Sequence, residues 1–229
     1  RRKRSPEATP EPFDDSAPAA AGAPLRFVVQ QHAARRLHWD LRLEWGGVLL
    51  SWAVPKGPSF DPADKQLAVQ TEDHPLDYTD FEGLIPKGQY GGGAMIVWDR
   101  GRWLPIEDPD AGFKKGKLLF ELRGYKLRGI WTLVKIKKSE RDWLLIKERD
   151  AWAQAGGREV GQGSVFSGLT VEELAAGSER AEAVRARVRA LSAPEREVEP
   201  EKVKVMLAET APKPFSRSGW LFELKYDGY

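Results

Sequence analysis

The stretch QQHAARRLHWDLRLEW, residues 30–45, decides the fold. From residue 37 to residue 45 it alternates strictly between apolar and polar residues. The apolar positions are Leu37, Trp39, Leu41, Leu43 and Trp45, and the polar positions are His38, Asp40, Arg42 and Glu44. Period-two alternation predicts a β-strand that packs one face and presents the other.

Short apolar runs separated by turn residues continue on both sides of this strand. Gly46 and Gly47 predict a tight hairpin turn into a strand at 48–54. Further strands are predicted at 27–29, 66–70, 94–98, 117–122, 129–136 and 142–147. Asp99–Gly101 is expected to turn the chain back toward Trp103. Since no helical periodicity intervenes, we predict a mainly β fold, a closed or nearly closed antiparallel barrel or a sandwich.

Composition shifts divide the chain into four parts. Residues 1–25 are rich in Pro, Ala and Asp and predict a flexible N-terminal arm. Residues 26–155 hold the β domain, and 156–202 are expected to form a short helical, flexible linker in which Thr170–Glu173 is a capping-box pattern. A new apolar pattern begins at 203 and runs to 229. Because the chain begins with Arg and stops after a strand-like stretch, we expect a fragment.

The overall composition excludes several classes of protein. The chain has 229 residues, 41% of them hydrophobic, with 36 basic and 34 acidic residues. That balance argues against binding by bulk charge but allows a local basic groove. No cysteine is present, which excludes disulfides and zinc–thiolate sites and is typical of a cytoplasmic protein. No apolar run approaches the roughly 18 residues of a membrane span.

The three histidines of the chain suggest a metal or phosphate site. His32, Asp40 and His74 make a three-ligand set for a divalent ion such as Mn, Fe, Co or Zn. Arg42 and His38 share the strand face of Asp40 and suit recognition of a phosphate. The same spacing is equally compatible with hydrogen-bonded histidines and an exposed ion pair.

Other candidates are less specific. Lys56 and Tyr78 could contact an anion, although a tyrosine at such a position is more often a packing residue. The loop at 88–93 is more typical of a hairpin turn than of a phosphate cradle. Basic residues flank a possible nucleic-acid groove, in a pattern that is also common on solvated faces: Lys114, Lys115, Lys117, Lys126, Arg128, Lys135, Lys137 and Lys138.

Three long motifs carry a resemblance to a known family. They are FVVQQHAARRLHWDLRLEWGGVLLSWAVPKGPS, LAVQTEDHPLDYTDFEGLIPKGQYGGG and MIVWDRGRW. They resemble the 3'-phosphoesterase domain of bacterial DNA ligase D, a multifunctional ligase of nonhomologous end joining. The resemblance covers most of residues 26–150 and implies a compact antiparallel β-barrel with a crescent-shaped polar groove.

The resemblance also implies an activity. Such a domain is a manganese-dependent enzyme that removes a 3'-terminal ribonucleoside and then the 3'-phosphate, leaving a 3'-OH that a ligase can seal. Its substrates would be DNA or DNA/RNA primer-template 3' ends. Its partners would be Ku and ligase and polymerase modules. We expect the protein in the cytoplasm, associated with the nucleoid, and not at a membrane.

Residue roles follow from the same resemblance. It implies His32, Asp40 and His74 as metal ligands, and His38 and Arg42, supported by Tyr78, as phosphate contacts. Further polar positions that match the family are Lys56, Glu72, Arg4 and Glu11. Ser5 replaces a usual Asp in the arm, which could weaken ribonucleoside removal, and Gln66 replaces a common Arg, which could weaken phosphate binding.

The last residues resemble the start of an ATP-dependent ligase adenylating domain. Lys225–Gly228 matches the K-x-D-G motif, in which Lys225 would attack the α-phosphate of ATP. Nothing follows Tyr229, so we expect no ligase activity from this chain, and ATP would serve only a complete ligase domain. Adenylation of the chain would contradict this.

Two other functions stay open. The first is a noncatalytic barrel that binds DNA ends and grips phosphate with its histidines. The second is a non-haem iron oxygenase, since two His and one carboxylate also serve that chemistry. Phosphate-seeking Arg42 and His38 fit an oxygenase poorly.

Overall fold

The computed structural model describes residues 25–177 and 186–191. Backbone contacts divide the chain into two units, Arg1–Arg185 and Ala186–Tyr229, and all the named strands and helices lie in the first. Within the described residues, no helix is both long enough and apolar enough to cross a membrane. Residues 1–24 of the predicted arm, with Arg4, Ser5 and Glu11, and the predicted ligase segment with Lys225 lie outside the described residues.

Eight antiparallel strands close into a barrel, which confirms the mainly β prediction. The sheet has nine strands, eight of which form the ring: β1 Arg26–Ala33, β2 Leu37–Trp45, β3 Val48–Val54, β4 Gln66–Gln70, β5 Gly83–Ile85, β6 Gly93–Pro105, β7 Lys117–Gly124, β8 Arg128–Lys135 and β9 Asp142–Lys147. Their order is β1-β2-β3-β4-β9-β8-β7-β6-β5, and an additional pairing of β1 with β6 closes the ring. Among the described strands, β5 pairs with β6 alone and lies outside the ring.

Hairpin geometry sets the register of the strands around the site. Gly46 and Gly47 both have positive φ, as a two-residue hairpin turn requires. This turn places Arg42 opposite Ser51 and Asp40 opposite Ala53. The β1–β2 hairpin places His32 opposite His38.

The barrel interior is filled by the apolar face of β2 and its neighbours. Trp52, Trp131 and Trp143 are fully buried there. Leu37, the first apolar position of the predicted face, is instead 40% exposed because it lies at the end of the strand. The prediction of a packed apolar face therefore holds from Trp39 onward.

A second apolar cluster lies on the outside of the barrel. It consists of Leu49, Leu76, Tyr78, Phe81, Ile85 and Met95. Most of these residues belong to the segment after β4, which contains a 3-10 helix at Leu76–Asp80 and β5. This segment packs against the polar face of β2 at Arg42, whose guanidinium lies over the Tyr78 ring. Asp40, Arg42 and Glu44 are all buried, although the alternation alone would leave them exposed.

The predicted turn at Asp99–Gly101 is wrong. β6 runs without interruption from Gly93 to Pro105, with a register shift against β1 at Val29/Gln30. The Asp99 carboxylate is fully buried and accepts hydrogen bonds from the backbone N–H groups of Lys126 and Leu127. Aspartate is common in turns, but Asp99 lies within a strand because two N–H groups of the β7–β8 loop satisfy its carboxylate.

Two short helices flank the barrel. α1, Pro109–Lys115, was not predicted, although it begins at an Asp108 cap and ends at Gly116 with φ of 76°. α2, Val171–Ala175, has the predicted capping box between Thr170 and Glu173.

Residues 161–171, in the first part of the predicted 156–202 linker, pack against the barrel. Val171 of α2 is buried in the main core, and Val165 N–H donates to Val97 O at 2.9 Å. The Lys126 ammonium donates to Gly161 O and Gly163 O at 2.7 and 2.6 Å. The domain boundaries themselves stay predictions.

Candidate active site

The polar face of β2 and the facing residues of β1 and β3 form the floor of an open cleft. Directly opposite residues of an antiparallel pair point to the same side of the sheet, so His32 joins His38 and Gln30 joins Asp40. The cleft has a volume of about 890 Å³. Its walls include Thr71, the predicted Glu72, His74 and residues 87–92.

His32, His38 and Asp40 converge at the centre of the floor. One ring nitrogen of each histidine and one carboxylate oxygen all lie within 4.8 Å of one another. His38 Nε2 is 3.5 Å from Asp40 Oδ1, and His32 Nδ1 is 4.0 Å from Asp40 Oδ2. Among the described residues, this is the one cluster with the geometry of a metal site.

Backbone carbonyls fix which nitrogen of each ring faces the cluster. His32 Nε2 lies 2.7 Å from Gly91 O, and His38 Nδ1 lies 2.9 Å from Arg36 O. A carbonyl oxygen only accepts, so each of these nitrogens carries the hydrogen and donates it. His32 Nδ1 and His38 Nε2 in their neutral forms therefore direct lone pairs at the Asp40 carboxylate.

Two lone pairs and a carboxylate without a hydrogen between them could hold a cation. Metal-binding histidines typically donate their other N–H to a backbone carbonyl or a carboxylate, as both do here. Burial lowers the pKa of His32 below its ordinary value of 6.5, which keeps the ring neutral and able to ligate near pH 7. The donor set suits a borderline divalent ion.

His74 is held on the other side of Arg42 and is not a member of this cluster. Its backbone forms a bridge to Leu49, with N···O distances of 2.8 and 3.0 Å. Its Nδ1 lies 2.8 Å from Arg42 Nη1. A guanidinium only donates, so Nδ1 accepts and the hydrogen of the neutral ring lies on Nε2. The geometry therefore favours His38 over His74 as the third ligand.

Arg42 links the two halves of the site. Its Nε donates to Gln30 Oε1 at 2.7 Å, and Nη2 donates to Asp40 Oδ2 at 2.9 Å. Nη1 donates to Ser51 Oγ at 2.9 Å as well as to His74. The side chain is 2% exposed. Within the described residues, four of its five N–H groups have acceptors, so Arg42 orients Asp40 and His74 and leaves one Nη2 hydrogen for another acceptor.

Tyr78 packs beneath this arrangement. Its ring centroid is 4.8 Å from the guanidinium carbon of Arg42 and 4.8 Å from the His74 ring. The residue is 1% exposed, so it contacts the site through its aromatic face. Lys56 is exposed in the turn after β3 and does not line the cleft, and Gln66 begins β4 away from it.

Gln30 and Ser51 take part in the site and were not predicted. Gln30 accepts from Arg42 and donates to Tyr78 O and Phe81 O at 3.0 and 2.8 Å, which ties β1 to the covering segment. Ser51 donates to Leu49 O at 2.9 Å. The sequence contains a signal for both residues, because the register of the two hairpins places Ser51 opposite Arg42 and Gln30 opposite Asp40.

Comparisons with known proteins agree on one family. A family model described as the DNA ligase D 3'-phosphoesterase domain matches residues 30–135. A multifunctional non-homologous end joining protein LigD from Pseudomonas aeruginosa is 44% identical over 234 residues, covering 100% of this chain and 28% of that protein.

Mycobacterial relatives show a similar level of identity. The LigD of Mycolicibacterium smegmatis is 42% identical over 156 residues, 66% of this chain and 20% of that protein. The LigD of Mycobacterium tuberculosis is 43% identical over 138 residues, 59% of this chain and 18% of that protein. The chain thus spans less than a third of the length of each of these relatives.

Proposed function

The chain belongs, through residues 30–135, to the DNA ligase D 3'-phosphoesterase domain family, and from this premise we propose that it is a metal-dependent phosphoesterase acting on nucleic-acid 3' ends. It would remove a 3'-phosphate, and a 3'-terminal ribonucleoside where present, to leave a 3'-OH for a ligase. The relatives are named for non-homologous end joining, which suggests DNA or primer-template ends as substrates. Ku and ligase and polymerase modules are the proposed partners.

The observation that carries the proposal is the convergence of two histidine lone pairs on a carboxylate. We assign His32 Nδ1, His38 Nε2 and Asp40 as the ligands of a divalent cation, with manganese as the proposed ion. Bound there, such an ion would supply a Lewis acid that offsets negative charge on phosphate oxygens in the transition state. This assignment exchanges the expected roles of His38 and His74.

Arg42 and His74 would act on the phosphate itself. The remaining Nη2 hydrogen of Arg42 and the Nε2–H of His74 would donate to phosphate oxygens, and the hydrogen bond between the two side chains fixes their positions. Preorganised donors of this kind stabilise charge that develops on phosphate oxygens. Tyr78 supports both rings from beneath.

The rim of the cleft suits a polyanionic substrate. Arg35 and Arg36 in the β1–β2 turn and Lys87 in the β5–β6 loop line it and are exposed. Exposed Arg and Lys side chains neutralise backbone phosphates, and contacts of this kind carry no sequence information. A 3' end of variable sequence is therefore a suitable substrate.

A primer-template with a 3'-phosphate tests the proposal. With Mn²⁺ we expect release of inorganic phosphate and a 3'-OH product, and EDTA should stop the reaction until excess Mn²⁺ is added. Asp40→Asn, which keeps the size of the side chain, should be inactive. Binding of DNA that is unaffected by EDTA and gives no product would instead support a noncatalytic end-binding module.

A further inference from the structure

A strongly basic surface lies next to the cleft. Between residues 114 and 141 the sequence carries ten Lys or Arg and two Glu, although the whole chain balances 36 basic against 34 acidic residues. Seven exposed side chains of this stretch belong to neighbouring segments, and we call them the basic end. They are Lys114, Lys115, Lys117, Lys135, Lys137, Lys138 and Arg141.

Backbone contacts hold the members of the basic end together. The last residues of α1 lead through Gly116 into β7, and Lys135 N–H donates to Gly116 O at 2.8 Å. Ile136 N–H donates to Asp142 O at 2.8 Å and closes the β8–β9 turn that carries Lys137 and Lys138. The charges are therefore distributed along one edge of the barrel, from α1 to the β8–β9 turn.

The basic end is continuous with the wall of the cleft. Gln70 N–H donates to Arg141 O at 2.7 Å, and Arg141 Nε donates to Gln70 O at 2.9 Å. The next residue, Thr71, lines the cleft. From β4 across β9 and β8 to β7 is three strand spacings, about 14 Å. At 3.4 Å per nucleotide this equals roughly four steps along one strand of a duplex.

Lys138 has a backbone conformation that its side chain does not favour. Its φ is 72°, and it is the one non-glycine residue of the described chain with positive φ. Glycine would adopt this conformation without the steric cost that a Cβ imposes. Residues held in such conformations concentrate at ligand-contacting sites. Lys138, which carries its charge at the tip of this turn, therefore makes the fold less stable than glycine would at the same position.

We propose that the basic end binds the phosphate backbone of the duplex that leads to a 3' end in the cleft. This inference rests on the proposed function and extends it to a second contact surface. Lysine ammonium groups on flexible stems suit contacts that are independent of sequence, as a repair substrate requires. Each contact would release counterions, so binding there is salt-dependent.

Two substrates separate this surface from the cleft. One is a primer-template with a 3'-phosphate and a duplex long enough to pass the basic end, and the other is a 3'-phosphorylated dinucleotide. For the Lys137→Gln/Lys138→Gln double variant we expect KM on the duplex to rise about tenfold, and the slope of log KM against log salt to fall by about 2, since each phosphate contact contributes about 0.9. KM on the dinucleotide should not change. Lys65→Gln, at an exposed lysine before β4, is the matched control and should match wild type on both substrates.

Lys138→Gly distinguishes loss of a contact from damage to the fold. Because glycine relieves the strained φ, the thermal unfolding temperature should rise while KM on the duplex also rises. A variant that binds less well although it is more stable cannot be explained by partial unfolding.

Unchanged duplex KM and salt slope in the double variant would overturn the inference. These lysines would then be a solvated surface or a contact surface for an acidic protein. Equal losses on both substrates would also overturn it, because the effect would then lie in the cleft. If wild type cleaves neither substrate, the proposed function fails separately. Fluorescence anisotropy with an unreactive 3'-OH duplex then tests the basic end alone, with the same difference in salt slope expected.

Discussion

Arg42 donates a hydrogen bond from Nη1 to Nδ1 of His74 at 2.8 Å. The same guanidinium bonds the Asp40 carboxylate, so one planar group sets the positions of a proposed ligand and a proposed phosphate donor. This makes the shape of the arginine fork, and not only its charge, important for the site.

Arg42→Lys tests the fork directly. Lysine keeps the positive charge but cannot bond Gln30, Ser51, His74 and Asp40 at once. We expect kcat on a 3'-phosphate substrate to fall about 100-fold or more, the usual effect of losing a preorganised donor. The control is Arg100→Lys, whose partly exposed ion pair with Asp80 lies outside the cleft. A kcat within threefold of wild type for Arg42→Lys would contradict this role.

Gln30 and Gln31 allow the same substitution to be compared at adjacent buried positions. Gln30→Met leaves Phe81 O and Arg42 Nε without their partner, and we expect a loss of about 2–3 kcal/mol in unfolding free energy together with lower kcat. Gln31→Met should change stability by about 1 kcal/mol or less. Its Oε1 already lacks a hydrogen-bond partner among the described residues, and its one bond to Gln162 is 3.2 Å long.

Urea unfolding of both variants measures these differences. Equal losses at the two positions would show that burial of the side chain, and not the hydrogen bonds of Gln30, decides stability there.

The pH dependence of stability should reveal the buried His32. Burial lowers the pKa of His32 below 6.5 in the folded protein, so the unfolded state binds more protons in the window below pH 6.5. The unfolding free energy of metal-free protein therefore falls as pH drops through this window and does not respond to His32 above it. The measurement is the unfolding temperature from pH 7.5 to 5 for wild type and His32→Gln. The variant should have the flatter curve, and parallel curves would refute the shift.

The local pattern of the sequence was sufficient to predict the barrel strands nearest the site. Alternation in β2 and the Gly46–Gly47 turn specify both the strand and its register, because a two-residue hairpin leaves no freedom in pairing. The sequence alone therefore places Asp40 and Arg42 on one face beside β3. The start of α1 was not predicted, but the sequence contains a signal for it, because Asp108 is a typical helix cap and Pro109 a typical first-turn residue.

The proposed division of roles between His38 and His74 could not be predicted from the sequence in the same way. It depends on the carbonyls of Arg36 and Gly91, which select the ring nitrogen that faces Asp40. It also depends on the Leu49 bridge, which brings His74 to the far side of Arg42. These contacts join residues distant in sequence and leave no periodic signal. The Asp99 turn was misjudged for the same reason, because its partners lie near residue 127.

The central claim is that His38 holds the cation and His74 does not, and matched asparagine variants test it most directly. Asparagine reproduces the Nδ1 position and removes Nε2, so it preserves the bond of His38 to Arg36 O and the bond of His74 to Arg42. Isothermal titration with Mn²⁺ should show at least about a tenfold weaker affinity for His38→Asn. His74→Asn should keep the wild-type affinity while its kcat falls. Loss of Mn²⁺ affinity in His74→Asn with normal affinity in His38→Asn would contradict the account.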